Sequence, residues 1–148
     1  MPEINYSEED LRDHDAIGAV IKDSKGRILV QDHVKYGFWT IPVGKAKQGQ
    51  SPEDALKQEL LEECGISARK FKKIAEKDYV YLRGVKNVRL ISHIFEITEY
   101  SGNIKNMEPH KHKSQEFKSV EEITKLQYLS DATILYLKTI GIERTNRI

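Results

Sequence analysis

Residues Gly44 to Ile66 read GKAKQGQSPEDALKQELLEECGI, and the second half of that stretch carries the local signals of one helix. Ser51 suits the N-cap and Pro52 the first helical position, where its missing N–H costs nothing. Asp54 completes a pattern close to a capping box, and Gly65 is a natural C-terminal stop. Together these predict a helix over Pro52 to Cys64. At about 100° per residue, Leu56, Leu60, Leu61 and Cys64 fall in one arc, while Ala55, Glu59, Glu62 and Glu63 fall in the adjoining one. One flank is expected to pack and the other to present acid.

Like charges three and four residues apart on a helix repel by roughly 0.2–0.5 kcal/mol per pair, and by more where water is scarce. A cation is therefore expected at this arc. Hard divalent ions such as Mg2+ take carboxylate oxygens and commonly bridge to substrate phosphates. Read from the carboxylates alone, the competing explanation is a solvated acidic face neutralised by Lys57 or by nothing.

The spacing of the whole stretch decides between them, because it resembles the signature of the Nudix hydrolase family. That signature runs Gly, five residues, Glu, seven residues, Arg-Glu, an aliphatic residue, any residue, Glu-Glu, any residue, Gly and an aliphatic residue. Gly44, Glu59, Leu60, Glu62, Glu63, Gly65 and Ile66 match it. Gln50 stands where the family usually has its first Glu, and Gln58 where it usually has Arg. Upstream, Trp39-Thr40-Ile41-Pro42 is similar to the family's Trp-x-Leu-Pro-Gly-Gly, with Val43 replacing the first Gly. Downstream, Asn106-Met107-Glu108-Pro109-His110-Lys111 is similar to its Glu-Pro-x-Lys segment. The chain from Asp15 to the end can be laid on one such domain, with residues 1–14 left as an arm, either loose or a short edge element.

The resemblance implies an α/β fold, an α/β/α sandwich with a central mixed β-sheet and the acidic helix on one face. It implies hydrolysis of a pyrophosphate linkage in a nucleoside diphosphate joined to another group, with water as the nucleophile. The ion would be Mg2+, with Mn2+ as an alternative. Carried over position by position, Glu59 and Glu63 are direct metal ligands, Glu62 is a third ligand or one acting through water, and the backbone carbonyl of Val43 is a further ligand. Glu59, Glu62 and Glu108 are the catalytic candidates. In some members the base belongs to the helix, which points to Glu59, and in others to a later loop, which points to Glu108 or Glu116; the helix is preferred here. Gly44, Lys45, Gln50, Lys111, Tyr36 and Phe38 are the substrate-binding candidates, Gly44 by letting the loop approach closely. Gln58 lacks the charge with which the family's Arg holds a neighbouring glutamate, but it can still donate a neutral hydrogen bond. Gln50 removes one negative charge and keeps a carbonyl oxygen.

At 148 residues the chain is long enough for one core, and a net charge of +1 offers no footprint for bulk nucleic acid. No stretch approaches the ~20 apolar residues of a bilayer span, and residues 1–15 do not read as a signal peptide. Cys64 is the single cysteine, so no internal disulfide can form, and it reads as a small core residue. A reducing cytoplasm is the expected setting. Apolar runs at Ala16 to Ile21 and Ile28 to Gln31, around the turn-forming Asp23-Ser24-Lys25-Gly26, read as a hairpin. Lys77 to Leu82 and Val88 to Thr98 read as a second. Tyr100 to Lys113 is a polar loop, Glu116 to Val120 a short strand, Glu121 to Lys125 a helical turn, and Ser130 to Thr139 a closing helix capped by Ser130 and stopped by Gly141.

His110 and His112 read as surface-loop residues and not a zinc site, because their spacing is not a zinc pattern. Arg83, Lys86, Lys111 and Lys113 could grip phosphates, although solvated lysines are the usual case. Trp39 suits core packing at least as well as stacking on a base. Two other functions fit the same residues: a non-catalytic nucleotide- or protein-binding module, and an enzyme acting at an RNA 5′ end. The identity of the nucleotide is not written in these positions, and candidates include (deoxy)nucleoside triphosphates, ADP-ribose and dinucleoside polyphosphates. The exposed hairpin expected near Gly84 could serve a homodimer or a pocket equally well.

Overall fold

The computed structural model of the protein describes residues 4–146. The helix predicted from its caps is α1, Pro52–Cys64: the Ser51 hydroxyl accepts the Asp54 N–H at 3.1 Å, and Gly65 closes the helix at φ 70°. Leu56, Leu60 and Cys64 are fully buried, but Leu61, at the margin of the expected packing arc, is 56% exposed. The buried face is therefore rotated towards the expected acidic arc, taking in Ala55 and Glu63 beside Leu56, Leu60 and Cys64.

Seven strands accompany it: β1 His14–Val20, β2 Ile28–His33, β3 Phe38–Thr40, β4 Val43–Lys45, β5 Ser67–Arg83, β6 Lys86–Ser101 and β7 His112–Lys118. Two further helices, α2 Val120–Thr124 and α3 Asp131–Thr139, close the chain. One sheet is mixed, in the order β4-β1-β6-β5, with β1 and β6 parallel and the other pairs antiparallel. The other is antiparallel, in the order β3-β2-β7. Ile17, Ala19 and Phe95 pack towards α1, while Val20 and Ile94 pack towards α3. Successive residues of a strand point to opposite faces, so the mixed sheet is covered on both sides and the α/β/α sandwich forms.

The first expected hairpin is corrected. The chain does reverse at Asp23, whose Oδ1 accepts the N–H groups of Lys25 and Arg27 at 2.9 and 2.8 Å. Past one bridge between Lys22 and Ile28, however, β1 and β2 enter different sheets. Ala19, Val20 and Ile21 are fully buried in succession, as befits chain covered on both faces and not a two-stranded ribbon with one wet side.

The second hairpin forms and is longer than expected, its turn shortened to Gly84 and Val85. The first half of β5 did not read as strand because register shifts at Ala68/Lys70, Lys70/Phe71 and Lys73/Ala75 break its alternation. β7 likewise starts at His112, earlier than Glu116, and ends at Lys118, so the expected polar loop shrinks to residues 102–111. Ser119 and Ser130 cap α2 and α3 as their sequences suggest. Residues 4–13 are not wholly loose: Glu9–Leu11 form a 3-10 turn whose Asp10 is buried. No helix among the described residues is long and apolar enough to cross a membrane.

The helix register makes a direct prediction. Leu60→Ala is expected to destabilise the protein by about 2–5 kcal/mol in chemical denaturation, and Leu61→Ala by less than about 0.5 kcal/mol. Equal effects would place the buried row elsewhere.

Candidate functional site

The edge strand β4 passes α1 so closely that a side chain at residue 44 has nowhere to go. A Cβ on Gly44 would sit 2.2 Å from the Cγ of Glu59 and 2.8 Å from its Oε2. Gly44 thus makes room for the Glu59 carboxylate itself. Beside it Val43 pairs with Gly18, while the ladder bonds fall on alternate residues, Ala19 N–H to the Pro42 carbonyl and Ala46 N–H to the Asp15 carbonyl. The Val43 carbonyl consequently points away from β1, off the sheet edge.

One turn along α1, Glu63 is 5% exposed and its Oε2 has no hydrogen-bond partner. Glu108, from the loop before β7, has a buried Oε1 without a partner, while Lys111 reaches its Oε2 at 3.1 Å. Burial first, and the Glu62 charge second, push Glu59 up to about 7. Burial first, and the Glu59 and Glu108 charges next, push Glu63 up to about 9. Lys111 opposes both shifts without cancelling them. Lys57, the candidate counter-ion, lies instead over the Phe71 ring at 5.8 Å.

Glu62 stays on the exposed side of the helix, held by the two residues that depart from the signature. Gln50 Nε2 donates to Gln58 Oε1 at 2.7 Å, and Gln58 Nε2 donates to Glu62 Oε1 at 2.9 Å. Gln50 Oε1 accepts the Lys47 N–H at 2.9 Å. Gln50 is therefore a brace for the loop before α1 and lines a neighbouring cleft of about 460 Å³ with Arg12 and Asp13, apart from Glu59.

Among the described residues, no three His, Cys, Asp or Glu side chains already converge tightly enough to hold a metal ion. The donor set nonetheless fits a hard divalent cation: unpaired, buried carboxylate oxygens on Glu63 and Glu108, the crowded Glu59, and a backbone carbonyl turned off a sheet edge. The Glu63 and Glu108 oxygens lack the hydrogen bond that burial ordinarily demands.

Glu59 and Glu63 form part of a cleft of about 580 Å³ that Lys45 and Lys111 also line. One side carries Tyr36 and Phe38, stacked at 5.2 Å between centroids, and another carries Tyr79 and Tyr81, stacked at 5.6 Å. Tyr79 and Tyr81 were not singled out in the sequence, although their spacing of two puts both on one face of a strand. Tyr81 hydrogen-bonds Asp131 at the start of α3.

Two placements differ from expectation, and that of Trp39 decides between the two roles left open for it. His112 is not a surface-loop residue; it opens β7, is 1% exposed, and has its Nε2 4.0 Å from Glu63 Oε1. His33 lies edge-on to it at 5.5 Å, and burial, ahead of the charge of His112, brings His33 down to about 4. Glu116 pairs with Lys118 at 2.5 Å on the face of β7 opposite Gln115, which is the side that meets Cys64. That leaves Glu108 as the loop carboxylate near the helix. Trp39 packs against the α3-side core and under Lys118, whose Nζ lies 4.7 Å from the ring, so it is a packing residue.

The NUDIX domain profile matches residues 12–137. The chain belongs to the Nudix family. A MutT NUDIX hydrolase from Burkholderia pseudomallei superposes with a TM-score of 0.76 at 22% identity, over 88% of this chain and 99% of that one. A MutT protein from Methanosarcina mazei superposes at 0.68 and 19%, over 90% and 93%. At such identities the likeness is one of fold. In sequence, an 8-oxo-dGTP diphosphatase from Buchnera aphidicola is 32% identical over 66% of this Nudix chain and 72% of its own length. An RNA pyrophosphohydrolase from Psychrobacter is 31% identical over 42% of this chain, and the match spans only 36% of that protein.

The raised carboxyl groups set a pH dependence. Glu59 and Glu63 keep their protons in the folded Nudix domain at pH values where the unfolded chain has released them, so folding is penalised as pH rises from 4.5 towards 9. In EDTA, Glu63→Gln is expected to melt at higher temperature than wild type near pH 8, the gap closing below the ordinary Glu value of 4.5. A gap independent of pH would show that Glu63 carries no such strain.

Proposed function

We propose that this Nudix protein is a divalent-metal-dependent pyrophosphohydrolase acting on a nucleoside diphosphate linked to a further group. The observation that carries this is the pair of buried carboxylate oxygens without partners, one on Glu63 and one on Glu108, with the Glu59 carboxylate crowded against Gly44 at a cleft that has aromatic and cationic side chains. An apolar or neutral ligand gives no reason to leave those oxygens without partners. Glu59, Glu63, Glu62 and the Val43 carbonyl would hold Mg2+ or Mn2+, which when bound neutralises charge developing on the phosphoryl oxygens.

The remaining work falls to the chain. Glu59, through a carboxylate oxygen that the metal leaves free, orients the attacking water and takes its proton as general base. Lys111, bound to Glu108 at 3.1 Å, holds the loop carboxylate close to α1 as a helper. Gln58 fixes Glu62 on the exposed side. Tyr36 and Phe38 offer flat apolar faces against which a base or ribose can lie.

The names of the relatives, RNA pyrophosphohydrolase and 8-oxo-dGTP diphosphatase, support the reaction class and leave two substrate sizes open. The test is nucleotide and phosphate release from nucleoside triphosphates, ADP-ribose, a dinucleoside polyphosphate and a 5′-triphosphorylated RNA oligonucleotide, each with Mg2+ and with EDTA. Turnover should require the metal and fall by about 10²–10⁴-fold in Glu59→Gln and Glu63→Gln. Metal-dependent binding of the same compounds without turnover would make the protein a nucleotide-binding module instead.

A further inference from the structure

Three cations from three separate parts of the chain converge on one buried residue, Asp10, at the same cleft, two on its carboxylate and one on its backbone carbonyl. Asp10 is 1% exposed. Its Oδ1 accepts from Lys45 of β4 at 2.5 Å, and its Oδ2 accepts from Lys35 of the β2–β3 connection at 3.0 Å and from the Ser7 N–H at 2.9 Å. The Arg83 guanidinium, from the end of β5, donates to the Asp10 backbone carbonyl at 2.6 Å. Burial alone would raise the Asp10 carboxyl, but Lys45, the Ser7 N–H and Lys35 hold it well below the usual carboxylate range.

A counter-ion pair needs one cation, and here the carboxylate takes two while its backbone carbonyl takes a third, so the four residues together carry an excess of two positive charges. An ammonium has three N–H donors and a guanidinium five, so most of their donors lie beyond what Asp10 takes. The side chains of Lys35 and Lys45 keep 37% and 38% exposure, whereas Asp10 keeps 1%; the carboxylate lies behind the cations and does not screen their outer side. All four residues line the cleft that contains Glu59 and Glu63. Lys45 directly follows Gly44, and its charge is felt at Glu59. The cluster therefore adjoins the acidic arc, with Arg83 braced 5.5 Å above the Tyr81 ring.

We propose that Lys35, Lys45 and Arg83, organised by Asp10, form an anion subsite for a second phosphoryl group of the substrate, one further along the phosphate chain than the group attacked beside Glu59. A chain of phosphates can span from the carboxylates to the cations, and the guanidinium fork and two ammonium groups match its oxygens. The subsite deepens the proposed function: it selects substrates that carry several linked phosphoryl groups over those with a single one.

The test reads binding without metal or turnover. The full chain is titrated calorimetrically with inorganic tripolyphosphate and with orthophosphate in EDTA at low salt. Wild type should bind tripolyphosphate more tightly than orthophosphate. Lys35→Gln and Arg83→Gln should each weaken tripolyphosphate binding tenfold or more, Lys35→Arg should restore it, and Lys138→Gln, on the exposed end of α3, should leave it unchanged. Thermal melts confirm that each variant is folded, and two independent positions guard against one that is not. Equal affinity in wild type and both glutamine variants, or no binding by wild type, overturns the subsite. Intact tripolyphosphate binding with no turnover of any nucleotide overturns the hydrolase reading alone.

Discussion

The close approach of β4 to α1 at Gly44 sets the position of everything else in the site. Because the space of a missing side chain is filled by the Glu59 carboxylate, the helix and the sheet edge are locked at one separation and one rotation. Glu63, one turn further, is then turned inward to 5% exposure, and Glu62 outward. The Val43 carbonyl and the Lys45 ammonium flank the same glycine, so an outward-facing backbone carbonyl and a cation are delivered from the two sides of Gly44 in a three-residue strand. A methyl group at this one position would drive the Glu59 side chain out of its place.

That arrangement holds charge under conditions that work against folding. The Glu108 charge raises the proton affinity of Glu59 and Glu63, that of Glu59 adds to Glu63, and Lys111 and Lys45 offset this only in part. In the α3-side core, by contrast, Ser130, Thr133 and Thr40 hydrogen-bond one another. The contrast between a satisfied core and an unsatisfied arc argues that the arc is completed by a ligand and not by the fold. His33 and His112, both neutral through burial, back Glu63 with a low-charge wall, which deepens its desolvation without supplying a counter-charge.

The parts legible in the sequence are those whose signals are local. The caps of α1, α2 and α3 lie within three residues of what they cap, and the three glutamates sit on one helix, so both element and arc could be read directly. The pairing of β1 could not. An apolar run reports burial, and β1 is buried because β4 and β6 flank it, not because it folds back on β2. The first half of β5 hid behind its bulges, and the inward turn of His112 depends on β7 pairing with β2 from a starting point that no turn residue marks. Asp10 was the least legible of all. Its partners lie 25, 35 and 73 residues away, and nothing around it distinguishes it from Glu8 or Glu9 except the place where the chain ends up.

The two departures from the family signature turn out to be one change. Gln50 and Gln58 hydrogen-bond each other, so the replacement of a carboxylate at one position is matched by the replacement of a cation at the other. Exchanging an ion pair for an amide pair keeps the geometry of the contact while removing the cost of stripping water from two charges. The chain of hydrogen bonds from the Lys47 amide through Gln50 and Gln58 to Glu62 still ties the loop before α1 to the acidic arc. What is lost is charge assistance at the last link, so Glu62 is held by a neutral donor. The Glu62 charge is the largest coulombic contribution raising the Glu59 carboxyl, so Gln58, by fixing where Glu62 sits, enters the same electrostatic balance as Glu59.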